Sequence, residues 1–305
     1  MRPVRPAPPG RPAGSAQRPQ RQGLARQGRR RGGLRAATVG AIVVVLLSGC
    51  SLLSPIVTPH SAQSTPSAAV TDFPDDSAGG DAISDSSLSV LGIYPVNGDA
   101  IVPTADPTAT AVWHRFTRLF PAELHPEITL FVAIDSAKSG GTDGAMQLNA
   151  LHPGKQYLAL DTTGVDTPSE LDRTMIHEFG HLLTLREKQM PLDSAAATSC
   201  DVYTDNTGCP AAGSYLRAYL SRFWPAALGG QLDESDAAAT DRYRTGGFVT
   251  EYAATNPFED MAEVFAQWVL ESAPPTGAAQ VDEKLRFFDA YSEVVAIRDT
   301  VRASL

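Results

Sequence analysis

The stretch His177-Glu178-Phe179-Gly180-His181 decides how this chain is interpreted, and it lies inside a segment with clear helical signals. Thr167 can cap the start of that helix, and Glu170 stands where a capping box places an acidic residue. At 3.6 residues per turn, His177 and His181 project from the same helical face, one above the other. The sequence therefore predicts a helix that carries two imidazoles and a carboxylate on adjoining positions.

This spacing is the H-E-x-x-H pattern, in which two histidines bind one zinc ion. Zinc lowers the pKa of a water molecule, and Glu178 can take up the proton without being a ligand. Gly180 in mid-helix costs about 1 kcal/mol relative to Ala, so it predicts a close backbone approach beside the site. The alternative is a chance match, with histidines that are exposed or hydrogen-bonded in the core.

A catalytic zinc needs a third protein ligand. The chain has six histidines and none follows His181, so a longer histidine-based pattern is excluded and a later carboxylate is expected. Glu259 and Glu263 lie four residues apart on a second predicted helix, which Asn256 can cap. One could bind the metal while the other accepts the N–H of a ligand histidine. The alternative is that Glu259 only completes a capping box with Asn256.

The stretch from Tyr252 to Ala266, YAATNPFEDMAEVFA, adds a resemblance to these residue-based arguments. Together with H-E-x-x-H, it is similar to the corresponding block of gluzincin metallopeptidases of the anthrax lethal factor type. That resemblance implies a zincin-like fold with one Zn²⁺ held by His177, His181 and Glu259. It further implies that Glu263 supports a ligand histidine and that Tyr252 stabilises an oxyanion. The long segment between His181 and Glu259 departs from the lethal factor pattern.

The N-terminal region reads as a targeting segment. The first 49 residues hold ten of the 25 Lys and Arg and none of the 34 Asp and Glu, which leaves a formal charge of −19 on the rest. A short apolar run then leads to Leu47-Ser48-Gly49-Cys50, which resembles a bacterial lipobox with a lipidated cysteine. We expect residues 1–50 to be a lipoprotein signal peptide and 51–87 a disordered tether. An ordinary secretory signal or an uncleaved membrane anchor is the alternative.

The acidic body restricts the partners of the chain. A formal charge of this sign argues against binding to nucleic acid, and it leaves the lipid on Cys50 as the expected contact with a membrane. Outside the cytoplasm, Cys200 and Cys209 are expected to form a disulfide. Free thiols, or metal ligands without further partners, are the alternatives for that pair.

The pattern over residues 88–305 predicts one α+β domain, rich in helices, with a small mixed sheet before the zinc-binding helix. Strands are expected over Ile128–Ile134 and Gln156–Asp161, and helices over Asp106–Phe120, Ser214–Phe223, Asn256–Leu270 and Gln280–Arg302. In the similar peptidases an edge strand holds the substrate by strand addition. Tyr157–Asp161 is expected to be that strand.

Taken together, the sequence predicts an extracytoplasmic, lipid-anchored zinc endopeptidase that hydrolyses peptide bonds in a peptide or protein substrate, with Glu178 as general base. Two other classes stay open. A metal-dependent amidase acting on cell-wall peptides would use the same ligands. A non-catalytic lipoprotein could retain the fold for binding, although the intact Glu178 argues against that class.

Overall fold

A five-stranded mixed sheet forms the first half of the folded region. The computed structural model describes residues 81–102, 106–164, 167–191, 200–204, 208–225, 232–271 and 276–305. The predicted signal peptide with Cys50, and the predicted tether up to residue 80, lie outside these residues. Within residues 81–87, which the sequence assigned to the tether, Ala82 is buried and its carbonyl accepts a hydrogen bond from the Ala150 N–H at 3.1 Å.

The sheet has the order β2-β1-β3-β5-β4. β3 and β5 are parallel, and every other neighbouring pair is antiparallel. All six residues of β5 are buried, which agrees with its place in the interior of the sheet. The strands are β1 (Val90–Asn97), β2 (Ala100–Ile101), β3 (Ile128–Ile134), β4 (Gly144–Leu148) and β5 (Gln156–Asp161).

This topology corrects one prediction. Gln156–Asp161 is a strand, as expected, but the proposal that it forms the edge of the sheet is wrong because β4 covers it on that side. Gly144–Leu148 lacks β-branched residues and begins with glycine, so its sequence gives little sign of a strand. Its pairing partner, rather than local propensity, makes it extended.

Seven α-helices are described. The one that carries the H-E-x-x-H stretch begins with the predicted capping box: the Glu170 carboxylate accepts from the Thr167 N–H at 2.8 Å, and the Thr167 hydroxyl accepts from the Glu170 N–H at 3.4 Å. The helices are α1 (Pro107–Leu119), α2 (Pro168–Leu185), α3 (Tyr215–Phe223), α4 (Asp236–Tyr243), α5 (Pro257–Leu270), α6 (Ala279–Leu285) and α7 (Ser292–Ser304). The prediction of an α+β fold with a small mixed sheet before α2 is confirmed.

The single helix predicted over Gln280–Arg302 is wrong. It is divided into α6 and α7 by a 3₁₀ turn, Phe287–Ala290. Phe287 and Phe288 are both buried, although adjacent residues of an α-helix point about 100° apart. The turn brings both rings into the core, so tertiary packing overrides the helical pattern.

Helices α2 and α5 pack closely where they pass each other. A Cβ on Gly180 would lie 3.0 Å from the Ala262 Cα, which is too close for an unshifted backbone. Phe179, the preceding residue, stacks on Phe120 with ring centroids 4.0 Å apart. Gly180 therefore allows the close backbone approach that the sequence predicted, and it sets α2 and α5 side by side.

The predicted disulfide between Cys200 and Cys209 is present, with the two Cα atoms 5.5 Å apart. The sulfurs are therefore bonded to each other, and the alternatives of free thiols or metal ligands do not apply. In the described part of the chain, none of the helices combines the length and the apolar composition that crossing a membrane requires.

Candidate metal centre

Three ligand atoms converge between α2 and the start of α5. The Nε2 atoms of His177 and His181 lie 3.1 Å apart. Glu259 Oε2 lies 3.1 Å from His177 Nε2 and 3.3 Å from His181 Nε2. Both histidines come from one face of α2, and Glu259 from the first turn of α5, which Asn256 caps with its side-chain oxygen. The structure thus brings together the three residues that the sequence proposed as metal ligands.

The donor set fits a zinc ion. Tetrahedral zinc with ligands at about 2.0–2.1 Å has donor atoms about 3.3 Å apart, close to the sides of this triangle. Two imidazole nitrogens and one carboxylate oxygen are also ligand types that zinc takes in catalytic sites. Among the described residues, no Lys or Arg forms an ion pair with Glu259. The three atoms therefore converge on a common point, with no Lys or Arg of the described residues paired to the carboxylate.

Glu263 bonds to the Nδ1 atom of His177, and not to the Nε2 atom that belongs to the triangle. Its Oε1 lies 2.9 Å from His177 Nδ1, so the N–H can be donated there and the Nε2 lone pair left for a metal. Its Oε2 accepts from Arg173 Nη2 at 3.0 Å and from the Thr250 hydroxyl at 2.9 Å. Burial alone would raise the pKa of Glu263, but His177 and Arg173 lower it to about 2. The carboxylate is therefore ionised and fixed in place.

His177 has an environment suited to cations. Burial alone would lower its pKa, but hydrogen bonds to Glu259 and Glu263 raise it to about 10 in the metal-free site. For Glu259, burial opposes ionisation, yet the two histidines bring its pKa below the ordinary value. The centre thus attracts positive charge, which a metal can supply when it displaces the proton.

Glu178 is placed beside the triangle without belonging to it. Its side chain is buried, and its Oε2 has no hydrogen-bond partner among the described residues. Burial raises the pKa of this carboxyl, against the opposing effect of the two histidines. Gly144 on β4 makes room for it, since a Cβ there would lie 2.9 Å from Glu178 Cγ and Oε1. Glu178 therefore lies beside the ligand residues with one carboxylate oxygen that has no hydrogen-bond partner among the described residues.

Tyr252 stands at the opening of the centre. Tyr252 is 54% exposed, but its ring centroid lies 5.9 Å from that of His177 and its hydroxyl is near enough to Glu259 to be affected by its charge. Burial of the hydroxyl, together with the nearby carboxylates, raises the pKa of Tyr252, so the phenol keeps its proton. It can donate a hydrogen bond to an oxygen that develops negative charge.

A cleft of about 670 Å³ opens over these residues. The edge strand β4 forms one wall. The disulfide loop and the start of α5 contribute further lining. Its lining residues are Ser84, Asp85, Thr142, Gly144, Ala145, Met146, Gln147, Leu148, His177, Glu178, His181, Leu185, Tyr203, Thr204, Glu234, Tyr252, Asn256, Phe258 and Glu259. The space is large enough for several residues of an extended peptide.

Some contributors were missed by the sequence analysis. Arg173 lies four residues before His177 on the same face of α2, so helical spacing could have identified it. Thr250 and Gly144 carry no local signal, because their roles depend on contacts across the fold. Asp85 and Glu234 come from segments that the sequence did not connect with the site.

A family model of zinc-binding peptidases matches part of the chain. Residues 148–292 match the family model described as "Putative zinc-binding metallo-peptidase", and this span includes every residue proposed above for the metal centre. No curated protein matches. A crystal structure described as a "putative zinc-binding metallo-peptidase from Bacteroides caccae ATCC 43185" matches at 16% identity and a TM-score of 0.33, over 66% of this chain and 78% of the other.

Proposed function

We propose that this chain is a zinc-dependent endopeptidase with a zincin-like catalytic domain. The observation that carries the proposal is the triangle of His177, His181 and Glu259 atoms, with Glu178 lining the same cleft. The match of residues 148–292 to a zinc-binding metallo-peptidase family supports the same conclusion. One zinc ion per chain would be held by the three residues.

Each residue has a distinct chemical role in this proposal. When bound, zinc supplies Lewis acidity, which makes a water more acidic and polarises the substrate carbonyl. Glu178 takes a proton from the attacking water and gives it to the leaving amine. Tyr252 donates a hydrogen bond to the developing oxyanion. Glu263 fixes the ring of His177 and its tautomer.

The edge strand β4 suits an extended substrate. Asn149 N–H donates to Lys155 O and Asp161 N–H to Asp143 O, so residues 143 and 149 face β5. Because backbone groups alternate along an antiparallel strand, Met146 and Leu148 turn theirs toward the cleft. The Met146 N–H accordingly lies on the side of Glu178, where it opposes the rise in pKa that burial causes in that carboxyl. We propose strand addition here, on β4, in place of the strand first expected.

The strand proposal is tested by removing one backbone donor. Leu148→Pro deletes an outward N–H, whereas Leu148→Ala keeps it and serves as the matched control. We expect KM for peptides to rise about 5- to 10-fold in Leu148→Pro only, as for a lost hydrogen bond of about 1 kcal/mol. Equal KM values in the two folded variants would contradict strand addition.

The catalytic proposal is tested by metal content and hydrolysis together. Glu178→Gln should retain about one zinc per chain and lose peptide hydrolysis, because it removes the base and leaves the ligands. Glu187→Gln, an exposed position just after α2, is the control and should retain both. A full chain that binds no zinc, or a Glu178→Gln chain that still cleaves, would contradict the proposal. Cleavage of cell-wall peptides but not of ordinary peptides would favour the amidase class.

Lipid anchoring outside the cytoplasm is a further part of the proposal. The Leu47-Ser48-Gly49-Cys50 stretch supports it, and the Cys200–Cys209 disulfide is typical of an oxidising compartment. Labelled fatty acid should be incorporated into the full chain and not into the Cys50→Ser variant. Labelling that is the same in both would contradict lipidation at Cys50.

A further inference from the structure

Tyr252 lies on a short 3₁₀ turn, Tyr252–Ala254, which comes just before α5. More than half of the tyrosine is exposed, so packing against the rest of the protein does little to fix its side chain. The place of its hydroxyl near Glu259 therefore depends on how firmly the backbone of the turn is held. The contacts that hold this turn come from two directions.

The first of these contacts links the turn to the metal centre. The Ala253 N–H donates to the Thr250 hydroxyl at 3.0 Å, and that hydroxyl donates to Glu263 Oε2 at 2.9 Å. Glu263 is the carboxylate that bonds to the proposed ligand His177. This chain of bonds holds the middle of the turn, and a different segment of the protein binds the carbonyls that follow it.

Arg242, near the end of α4, binds the two carbonyls that follow. Its Nε donates to Ala254 O at 2.6 Å, and its Nη2 donates to Thr255 O at 2.8 Å. Its Nη1 donates to the Asp233 carbonyl at 2.8 Å. The guanidinium also lies over the Trp224 ring, 5.6 Å from its centre. A planar, charged fork of this kind fixes its acceptors in direction as well as distance.

A second contact from α4 reaches the same turn. Thr240, two residues before Arg242, donates its hydroxyl to Glu251 Oε1 at 2.7 Å. Glu251 directly precedes Tyr252, so α4 contacts the chain both before and after the tyrosine. α4 belongs to the long segment between the two helices of the metal centre, the segment that departs from the lethal factor pattern. These contacts indicate what that part of the segment does.

We propose that Arg242 is a positioning residue, which holds the turn so that the Tyr252 hydroxyl meets the developing oxyanion. This inference rests on the proposed peptidase function and adds a residue to it. A donor stabilises an oxyanion fully only when it is already in place, and a displacement of about 1 Å can cost about 100-fold in rate. Loss of the Arg242 bonds should therefore lower kcat more than it raises KM.

Arg242→Lys tests these bonds, because it keeps the charge and removes the fork. The matched control is Arg302→Lys, since Arg302 also donates to three backbone carbonyls, at the far end of α5. Both full-chain variants should retain about one zinc per chain and show similar losses in urea unfolding. We expect kcat for peptides to fall about 5- to 20-fold in Arg242→Lys and less than about 2-fold in Arg302→Lys. Equal kcat values in the two variants would overturn the inference.

A double-mutant cycle shows whether Arg242 acts through the tyrosine. Tyr252→Phe removes the hydroxyl, so Arg242→Lys added to it should lower kcat by less than about 2-fold more. Thr240→Val, a milder change, should lower kcat about 2- to 3-fold and should also lose its effect in the Tyr252→Phe chain. A fall in kcat that is as large with Phe as with Tyr at position 252 would overturn the inference, since it would show a general loss of structure.

Hydrogen exchange gives a readout that does not require hydrolysis. The Ala254 and Thr255 amides each donate to the carbonyl three residues earlier, at 3.1 and 3.0 Å. Both amides should exchange faster in the full chain carrying Arg242→Lys, and at the original rate in Arg302→Lys, because only the first loosens the turn. Exchange that is unchanged in Arg242→Lys would overturn the inference.

The two readouts together distinguish this inference from the proposed function. Faster exchange with an unchanged kcat would contradict the positioning role and leave the peptidase function standing. An unmodified full chain that hydrolyses no peptide would contradict the peptidase function, and the exchange rates would still decide whether Arg242 holds the turn.

Discussion

Glu259 and Asp260 are neighbours on α5, yet they face two different regions of the molecule. Glu259 meets the Nε2 atoms of His177 and His181 at the cleft. Asp260 is fully buried on the other side, where its Oδ2 lies 2.7 Å from Lys284 Nζ. Adjacent helical residues point about 100° apart, so one helix can serve both regions.

The region around Asp260 is balanced by the protein itself. The same Oδ2 accepts from the Tyr219 hydroxyl at 2.9 Å and from Trp224 Nε1 at 2.7 Å. The ammonium of Lys284, which is also fully buried, lies 3.7 Å from the centre of the Phe248 ring. One negative and one positive charge meet there, and both neutral donors bond to Oδ2, while Oδ1 has no hydrogen-bond partner among the described residues.

The comparison shows how to distinguish a structural carboxylate from a ligand. Both side chains are removed from most of the solvent, which is costly for an uncompensated charge. Asp260 is compensated by Lys284, whereas Glu259 faces only histidine nitrogens and the Tyr252 hydroxyl. Glu259 has no Lys or Arg partner among the described residues, and the convergence of two Nε2 atoms on its Oε2 fits a metal ion. Substitutions at the two positions are therefore expected to have different effects.

The largest effect is expected at Glu259. Glu259→Ala removes one of three ligands, so zinc retention should be lost and peptide hydrolysis should fall at least about 1000-fold. The free energy of unfolding of the metal-free protein should fall less than in Asp260→Ala, because Glu263 still pairs with His177. Metal analysis, a peptide assay and urea unfolding in chelator check these points. Full zinc retention in Glu259→Ala would contradict the role of Glu259 as a ligand, and with it the distinction between Glu259 and Asp260.

Asp260→Ala should have the opposite pattern, with a larger effect on the stability of the fold than on zinc retention. It leaves the Lys284 ammonium buried without its partner, which should lower the free energy of unfolding by about 3–5 kcal/mol. Combining it with Lys284→Met should restore part of that loss, since no charge is then buried alone. Urea unfolding of the single and double variants measures both. A loss below about 1 kcal/mol in Asp260→Ala would show that the pair does not have the proposed structural role.

A smaller effect is expected at Glu263. It pairs with Arg173, as a structural carboxylate pairs with a cation, and it also bonds to the proposed ligand His177. Glu263→Gln keeps the size of the side chain but weakens its hold on the His177 N–H, so zinc affinity should fall about 10- to 100-fold. Competition with a chromophoric chelator measures the affinity. Arg173→Met, which removes the other charged partner of Glu263, should have a weaker effect of the same sign. Unchanged affinity in Glu263→Gln would contradict its supporting role.

The sequence could predict the centre because local periodicity encodes it. The capping box at Thr167 sets the start of α2, the spacing of four aligns His177 with His181, and the same spacing relates Glu259 to Glu263. These are properties of single helices, so they are readable without the fold. The close packing of α2 against α5 is a tertiary feature, and the glycine at position 180 was the sequence signal that predicted it.

The remaining features depend on contacts between distant segments. β4 has a weak strand sequence and becomes the edge strand only by pairing with β5. Asp260 looks like an ordinary first-turn acidic residue until α6 brings Lys284 against it. Asp85 and Glu234 reach the cleft from segments that lie far apart in the sequence. Such pairings are set by tertiary packing, which the pattern of one chain does not record.

The most direct test of the account is anomalous diffraction at the zinc absorption edge from crystals of the zinc-treated protein. The account predicts one zinc peak per chain, within bonding distance of His177 Nε2, His181 Nε2 and Glu259 Oε2. A peak at another group of residues, or no peak between these three atoms at full zinc saturation, would contradict it.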